Sequence, residues 1–304
     1  MQNSVSSKAS ENICKGPFAP SQCPALLEMA VMKDDLYAVK NILYHYHPTP
    51  SEMIKWGKFA SPHMLEMVLK TMGASCPDYL AGSLARSDAS FPGRLKKIMP
   101  FINVPHAAMT LIRTRLQSFL SADRETRAAL ERMFFEGHAQ GLPFSCAMHQ
   151  ALSGKTILLK EYLKNNPHDV AICLTVAVFF SRLKLTKFLK DFCRPQDMED
   201  AFEVCIRINQ TKIFHILLPC LEPVLFKHKF LLSALLLRRE AMSKKLICFV
   251  KRESIMSGID VWHDKTAERL KRDFLVIESE VVRHNMMNVL AEKTHGESPV
   301  LRKM

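Results

Sequence analysis

Leu152-Ser153-Gly154-Lys155-Thr156 reproduces the closing residues of a phosphate-binding loop, G-x-x-x-x-G-K-[ST]. Such a loop needs its first glycine so that backbone N–H groups can close on the phosphates. It also needs a strand before it. Position 149 holds His149 instead, and no strand pattern precedes it. The pentapeptide therefore reads as a turn between two helices. Metal chemistry needs three or four Cys, His or carboxylate ligands at suitable spacing. Cys146/His149 and His45/His47 come closest, and each offers at most two. They read as a turn-stabilising histidine and an exposed loop over residues 44–47. Nine cysteines and 12 histidines could in principle supply a Cys–His nucleophile, but no local signature marks a pair. H-E-x-x-H, G-x-S-x-G, Rossmann and kinase motifs are not found. The expectation is a protein without catalytic residues, cofactor-binding residues or a metal site. An enzyme with no recognisable motif is one alternative.

Charge is the stronger signal. Lys and Arg number 42 against 30 Asp and Glu, a formal net charge of +12. A basic chain is drawn to acidic protein surfaces, nucleic acid or anionic membrane surfaces. Arg238, Arg239, Lys244, Lys245, Lys251 and Arg252 form the densest cluster, and the first four flank one turn. Arg182, Lys184, Lys187, Arg207 and Lys212 precede it at intervals that could align with it. We take Arg182, Lys184, Lys187, Arg207, Lys212, Arg238, Arg239, Lys244 and Lys245 as candidate partner-binding residues. Aromatic interleaving, which single-strand binders use to stack bases, is missing. A protein partner with an acidic patch is thus expected first, and nucleic acid is the alternative partner.

These residues sit on helices that recur. A small residue has an apolar residue three before it and another twelve after it in five places. The sets are Leu27/Ala30/Ile42, Met148/Ala151/Leu163, Leu174/Ala177/Leu189, Phe202/Cys205/Leu217 and Leu231/Ala234/Leu246. Met53/Trp56/Val68 is a weaker version. Each set implies a short helix, a polar turn, and a second helix whose apolar residues fall three and four apart on one face. The turns are Lys33-Asp34-Asp35, Ser153-Gly154-Lys155, Ser181-Arg182, Asn209-Gln210-Thr211 and Arg238-Arg239-Glu240. A lone helical hairpin cannot bury both faces, so neighbours must stack.

The segment Pro24–Leu43, PALLEMAVMKDDLYAVKNIL, resembles the helix-turn-helix core of an ankyrin repeat. Cys146–Leu163, CAMHQALSGKTILLKEYL, is similar, with His149 in the place of the family's histidine. The family's Thr-Pro-Leu-His tetrapeptide is never complete, and the small anchors recur every 26–29 residues. The fold the resemblance implies is an all-α solenoid of stacked helical hairpins, ankyrin-like, with shortened or missing β-hairpin fingers. It implies a protein-binding module with no active site. By analogy with basic, degenerate repeat stacks it implies an effector or host-range protein of an intracellular pathogen. That protein would act on a host protein in the host cytosol or nucleus.

The remaining segments complete the expectation. Residues 1–23 have no secretory apolar core and read as a disordered leader. Residues 24–257 form the repeat domain, about eight or nine hairpins in one elongated unit. Within it, helices are expected over about 106–120 and 124–137, with Ala128, Leu130, Met133 and Phe134 as the core face of the second. A break at Ser257-Gly258 precedes a terminal helix pair in 258–293, and 294–304 is a flexible tail. The longest apolar run, Val170–Phe180, is about half of what a membrane span needs. No span is therefore expected, and the protein reads as soluble and monomeric. Nine irregularly spaced cysteines without a C-x-x-C pair point to a reducing compartment.

Overall fold

A computed structural model describes residues 21–49, 52–53, 55, 59–72, 95–97, 99–117, 123–221, 228–262 and 264–296. Residues 1–20 of the expected leader, Trp56, residues 73–94, the end of the helix expected over 106–120 and the end of the tail lie outside these residues, whereas Cys23 of the expected leader already belongs to α1 (Cys23–Met32). Among the described residues all regular structure is helical, with no strand. None of their helices is long and apolar enough to cross a membrane. The chain divides into two compact units, residues 1–176 and 177–304.

The first unit contains α1 (Cys23–Met32), α2 (Leu36–His45), α3 (Pro62–Met72), α4 (Val104–Gln117), α5 (Asp123–Ala139), α6 (Pro143–Leu152) and α7 (Ile157–Asn165). Helix α8 (Val170–Phe179) carries the boundary between the units. The second unit contains α9 (Leu183–Lys190), α10 (Glu199–Arg207), α11 (Thr211–Leu217), α12 (His228–Leu236), α13 (Glu240–Leu246), α14 (Arg252–Asp260) and α15 (Asp264–Gly296).

Local chemistry explains several of these boundaries. Pro24 and Pro143 occupy the first turns of α1 and α6, where the absent N–H costs nothing. Glu199 and Asp200 place negative charge in the first turn of α10, against the positive end of its dipole. Asp35 caps α2 by accepting the Ala38 N–H at 3.0 Å.

A single C-terminal device ends α1, α5, α6, α8, α10 and α12. The second residue beyond the helix adopts positive φ, and two backbone hydrogen bonds close back on the last turn, a Schellman motif. Asp34, Ser181, Asn209 and Arg238 occupy the position at φ 54–59°, with Gly141 and Gly154 at 72° and 95°. In α8 the Arg182 N–H donates to Ala177 O at 2.9 Å and the Ser181 N–H to Val178 O at 2.8 Å. In α12 the Arg239 N–H donates to Ala234 O at 2.8 Å. The anchors Ala30, Ala177, Cys205 and Ala234 are the residues whose carbonyls accept the longer bond. In α6 that residue is Gln150, so this hairpin runs one residue earlier than its Met148/Ala151 pattern suggests.

The second unit is built as two rows. Helices α10, α12 and α14 pack in sequence along one row, and α9, α11, α13 and α15 along the other. Phe202 of α10 ties the rows. It stacks on Phe214 of α11 at 5.1 Å and meets Phe230 of α12 edge-on at 5.1 Å. All three are fully buried, each contributing on the order of 2–3 kcal/mol by area. In the first unit α1 packs on α2, α2 on α3, α5 on α4 and α6, and α6 on α7. The α5–α6 contact is close because Gly137 carries no Cβ; one would lie 2.1 Å from Ser145 Oγ.

Several expectations are corrected. Residues 258–293 are not a helix pair: Ser257-Gly258 lies inside α14, and α15 runs unbroken for 33 residues. The expected pair divides at about Glu280 and Val281, but the residues there are all compatible with a helix and none is Gly or Pro. The first half of α15 packs through Leu270, Phe274 and Ile277, but Leu275, Val282 and Met286 are exposed rather than core. On α5 it is Ala129, not Ala128, that is buried beside Leu130, Met133 and Phe134. Cys173 and Cys205 are buried as expected of small apolar residues. Cys248 is exposed, because the chain leaves α13 there for a short 3-10 turn.

Candidate functional site

Each hairpin of the second unit presents its turn and second helix through residues at matching places relative to the Schellman turn. Lys184 of α9 and Lys212 of α11 stand three residues beyond the positive-φ position, at Ser181 and Asn209. Lys187, His215 of α11 and Lys244 of α13 stand six beyond it. The recurrence follows from the core, since the intervening residues Leu185, Ile213 and Met242 must point inward. The interval between turns then sets the spacing of the cations.

The nine candidate basic residues separate into two groups. Arg182, Lys184, Lys187, Lys212, Arg238 and Lys245 are exposed. Arg207, Arg239 and Lys244 are half-buried and engaged within the unit. Arg207 Nη2 lies 2.9 Å from Glu203 Oε1 one turn earlier on α10. Arg239 Nη2 donates to the Arg207 carbonyl at 3.0 Å. Lys244 sits between Glu240 at 2.6 Å and Glu280 at 2.9 Å. The hydrogen bonds from those two carboxylates push its ammonium up to about 12.

Ties of similar sequence separation recur in both units. Ser61 Oγ donates to Asp34 Oδ1 at 2.6 Å, 27 residues apart. Lys55 pairs with Glu28 across the same separation, and Lys97 with Glu66 across 31 residues, at 2.9 Å. Lys229 pairs with Glu199 across 30.

The other sequence candidates have local roles. Lys155 and Thr156 follow a helix-ending turn with Gly154 at φ 95°, as expected from the missing strand and first glycine. His149 stacks on His138 at 4.8 Å and meets Phe135 edge-on at 6.2 Å, so its ring packs on α5. Cys146 Sγ donates to the His138 carbonyl at 3.9 Å. His45 is exposed beside Tyr44, and its neighbour Tyr46 donates to Glu52 at 2.7 Å. Burial and that bond raise the Tyr46 phenol to about 12. Among the described residues no group of three or more His, Cys, Asp or Glu is placed to hold a metal.

Two features escaped the sequence pattern. In the first unit Tyr162 donates to buried Asp169, beside a cleft of about 360 Å³ that also exposes Asn103 and His168. Burial and that carboxylate drive the phenol well above its ordinary range. In the second unit a larger cavity, about 610 Å³, joins the turn of Arg238 and Arg239 to Arg269 and Arg272 of α15. The three-residue spacing of Arg269 and Arg272 places both on one helical face, a signal present in the sequence but hidden among the general charge of that segment.

Compared with known proteins, the chain matches no protein-family model, no curated sequence and no solved structure.

Proposed function

We propose that this chain is an ankyrin-like helical-repeat scaffold that binds an acidic protein surface through the basic turns and second helices of residues 177–250. The observation that carries the reading is the recurrence of exposed lysines at equivalent places, Lys184 with Lys212, and of Lys187 with the exposed His215, on hairpins that pack row upon row. Rows of this kind expose one side of every second helix, and a partner can meet several repeats at once. Opposite charge then favours encounter and fixes register. The ankyrin resemblance extends this reading to an effector or host-range role directed at a host protein.

The test is affinity capture with the full chain and with a Lys184→Glu/Lys212→Glu/Arg238→Glu variant that remains folded by circular dichroism. The reading expects a discrete protein recovered by the parent and lost with the variant. Equal recovery by both would remove the basic turns from recognition. Retention on RNA instead, with affinity falling steeply as salt rises, would favour a nucleic-acid partner.

A further inference from the structure

We propose that the cavity between α13 and α15 is a phosphoryl-binding site, with Arg239, Ser243 and Arg269 as its inner donors. The cavity volume, about 610 Å³, falls within the range of small-ligand pockets. Arg239, Ser243 and Arg269 all line this cavity, and Arg239 Nε, Ser243 Oγ and Arg269 Nε are buried without a hydrogen-bond partner. Ser243 is completely buried. Folded proteins leave few buried polar groups unpaired, because each forfeits its hydration without return. Three such donors around one space point to an acceptor that belongs there.

The charges fit an anion. Arg238 and Arg272 complete a set of four arginines facing Glu240, Asp273 and Glu280. Lys244 holds both glutamates. Asp273 is the remaining carboxylate, and the site with Lys244 carries a net positive charge of two. The number of acceptors selects the ligand. Arg239 spends Nη2 on the Arg207 carbonyl, which leaves Nε unpaired. Three donors on three side chains are best met by an anion with oxygens in several directions. A tetrahedral phosphate supplies them, whereas a planar carboxylate has two oxygens in one plane. Guanidinium forks match phosphate oxygens in pairs.

The shared chemistry is a phosphoryl dianion, carried either by a phosphorylated side chain or by a small phosphorylated molecule. The test is titration of the full chain with inorganic phosphate, read by calorimetry and by the arginine Nε–Hε resonances in ¹H–¹⁵N spectra. Saturable shifts of the Arg239 and Arg269 signals are expected, with acetate at matched ionic strength giving none. Arg269→Gln should weaken phosphate at least about tenfold, equivalent to roughly 1.4 kcal/mol. Ser243→Ala should weaken it severalfold while leaving the melting temperature of the free protein unchanged or higher, since a buried unpaired hydroxyl is removed. Loss of binding in both variants with retained folding supports the site. It is overturned if phosphate gives no saturable shift up to roughly 10 mM, if acetate binds equally, or if Ser243→Ala and Arg269→Gln bind phosphate as the parent does. N-acetyl-phosphoserine amide and adenosine monophosphate then separate the sources, the tighter binder identifying the carrier.

Discussion

Arg239 donates from Nη2 to the carbonyl of Arg207, 32 residues earlier, at 3.0 Å. Arg207 is the last residue of α10, where carbonyls have no partner within the helix. One side chain therefore finishes a helix of the preceding hairpin from the turn of the next. Arg239→Met keeps most of the apolar stem and removes the donor. It should cost about 1.5–3 kcal/mol in urea unfolding, the usual value of a charged hydrogen bond. Arg239→Met with unchanged stability would make this contact dispensable.

The turn residues carry a graded strain. Ser181 and Arg238 stand at φ 57° and 54°, where a side chain crowds the following carbonyl. Ser181→Gly and Arg238→Gly should each raise stability by about 0.5–1 kcal/mol, the relieved strain exceeding the added freedom of the unfolded chain. Asn209→Gly should change little, because asparagine tolerates this conformation. Thermal melts of the three single variants read the order directly.

Gly137 behaves in the opposite way. It lies inside α5, where alanine is normally the better helix former by about 1 kcal/mol. Here an added Cβ would meet Ser145 Oγ at 2.1 Å and Ser145 Cβ at 2.6 Å. Gly137→Ala should therefore destabilise the chain by about 1–3 kcal/mol as α5 and α6 are forced apart. The double variant with Ser145→Gly should recover part of the loss, whereas full additivity would place the damage elsewhere.

Glu66 gives the acid response a named source. Hydrogen bonds from Lys70 and Lys97 lower its carboxyl from 4.5 to about 2. A carboxylate lowered by folding stabilises the folded state above its unfolded pKa, and that contribution is lost as protons bind. The window is thus from about 4.5 down to about 2. Comparing melts of the parent and Glu66→Gln across that window should show the parent's advantage shrinking as pH falls. A constant difference would mean that the two lysines do not act through charge.

Much of the architecture was legible in apolar spacing. The small anchors Ala30, Ala177, Cys205 and Ala234 mark the carbonyls that close the turns, because close helix approach and the Schellman bond meet at one place on the helix. The one-residue shift at Gln150 was hidden, since Met148, Ala151 and Gln150 all suit a helix and only the turn glycine at 154 sets the register. The break expected at Ser257-Gly258 rests on that pair's resemblance to a stop, whereas the pair lies inside α14, and the apolar spacing of α15 does not mark its length. Of the basic residues, spacing alone could not separate exposed Lys184 and Lys212 from Arg207, Arg239 and Lys244, which are held by Glu203 one turn earlier, by the Arg207 carbonyl of the preceding hairpin, and by Glu240 with Glu280 of α15. Arg269 and Ser243 were legible only as members of a helix, because the cavity that joins them depends on the packing of α13 against α15.

The proposed recognition runs through the recurring basic residues of 177–250. The most direct measurement is photo-crosslinking in living cells, with a photoreactive residue placed at position 184, 212 or 157 in the full chain. Ile157 is exposed in the first unit and serves as the reference position. One discrete protein adduct shared by positions 184 and 212, and not formed from 157, is the expected result. The same adducts from all three positions, or adducts from 157 alone, would contradict it.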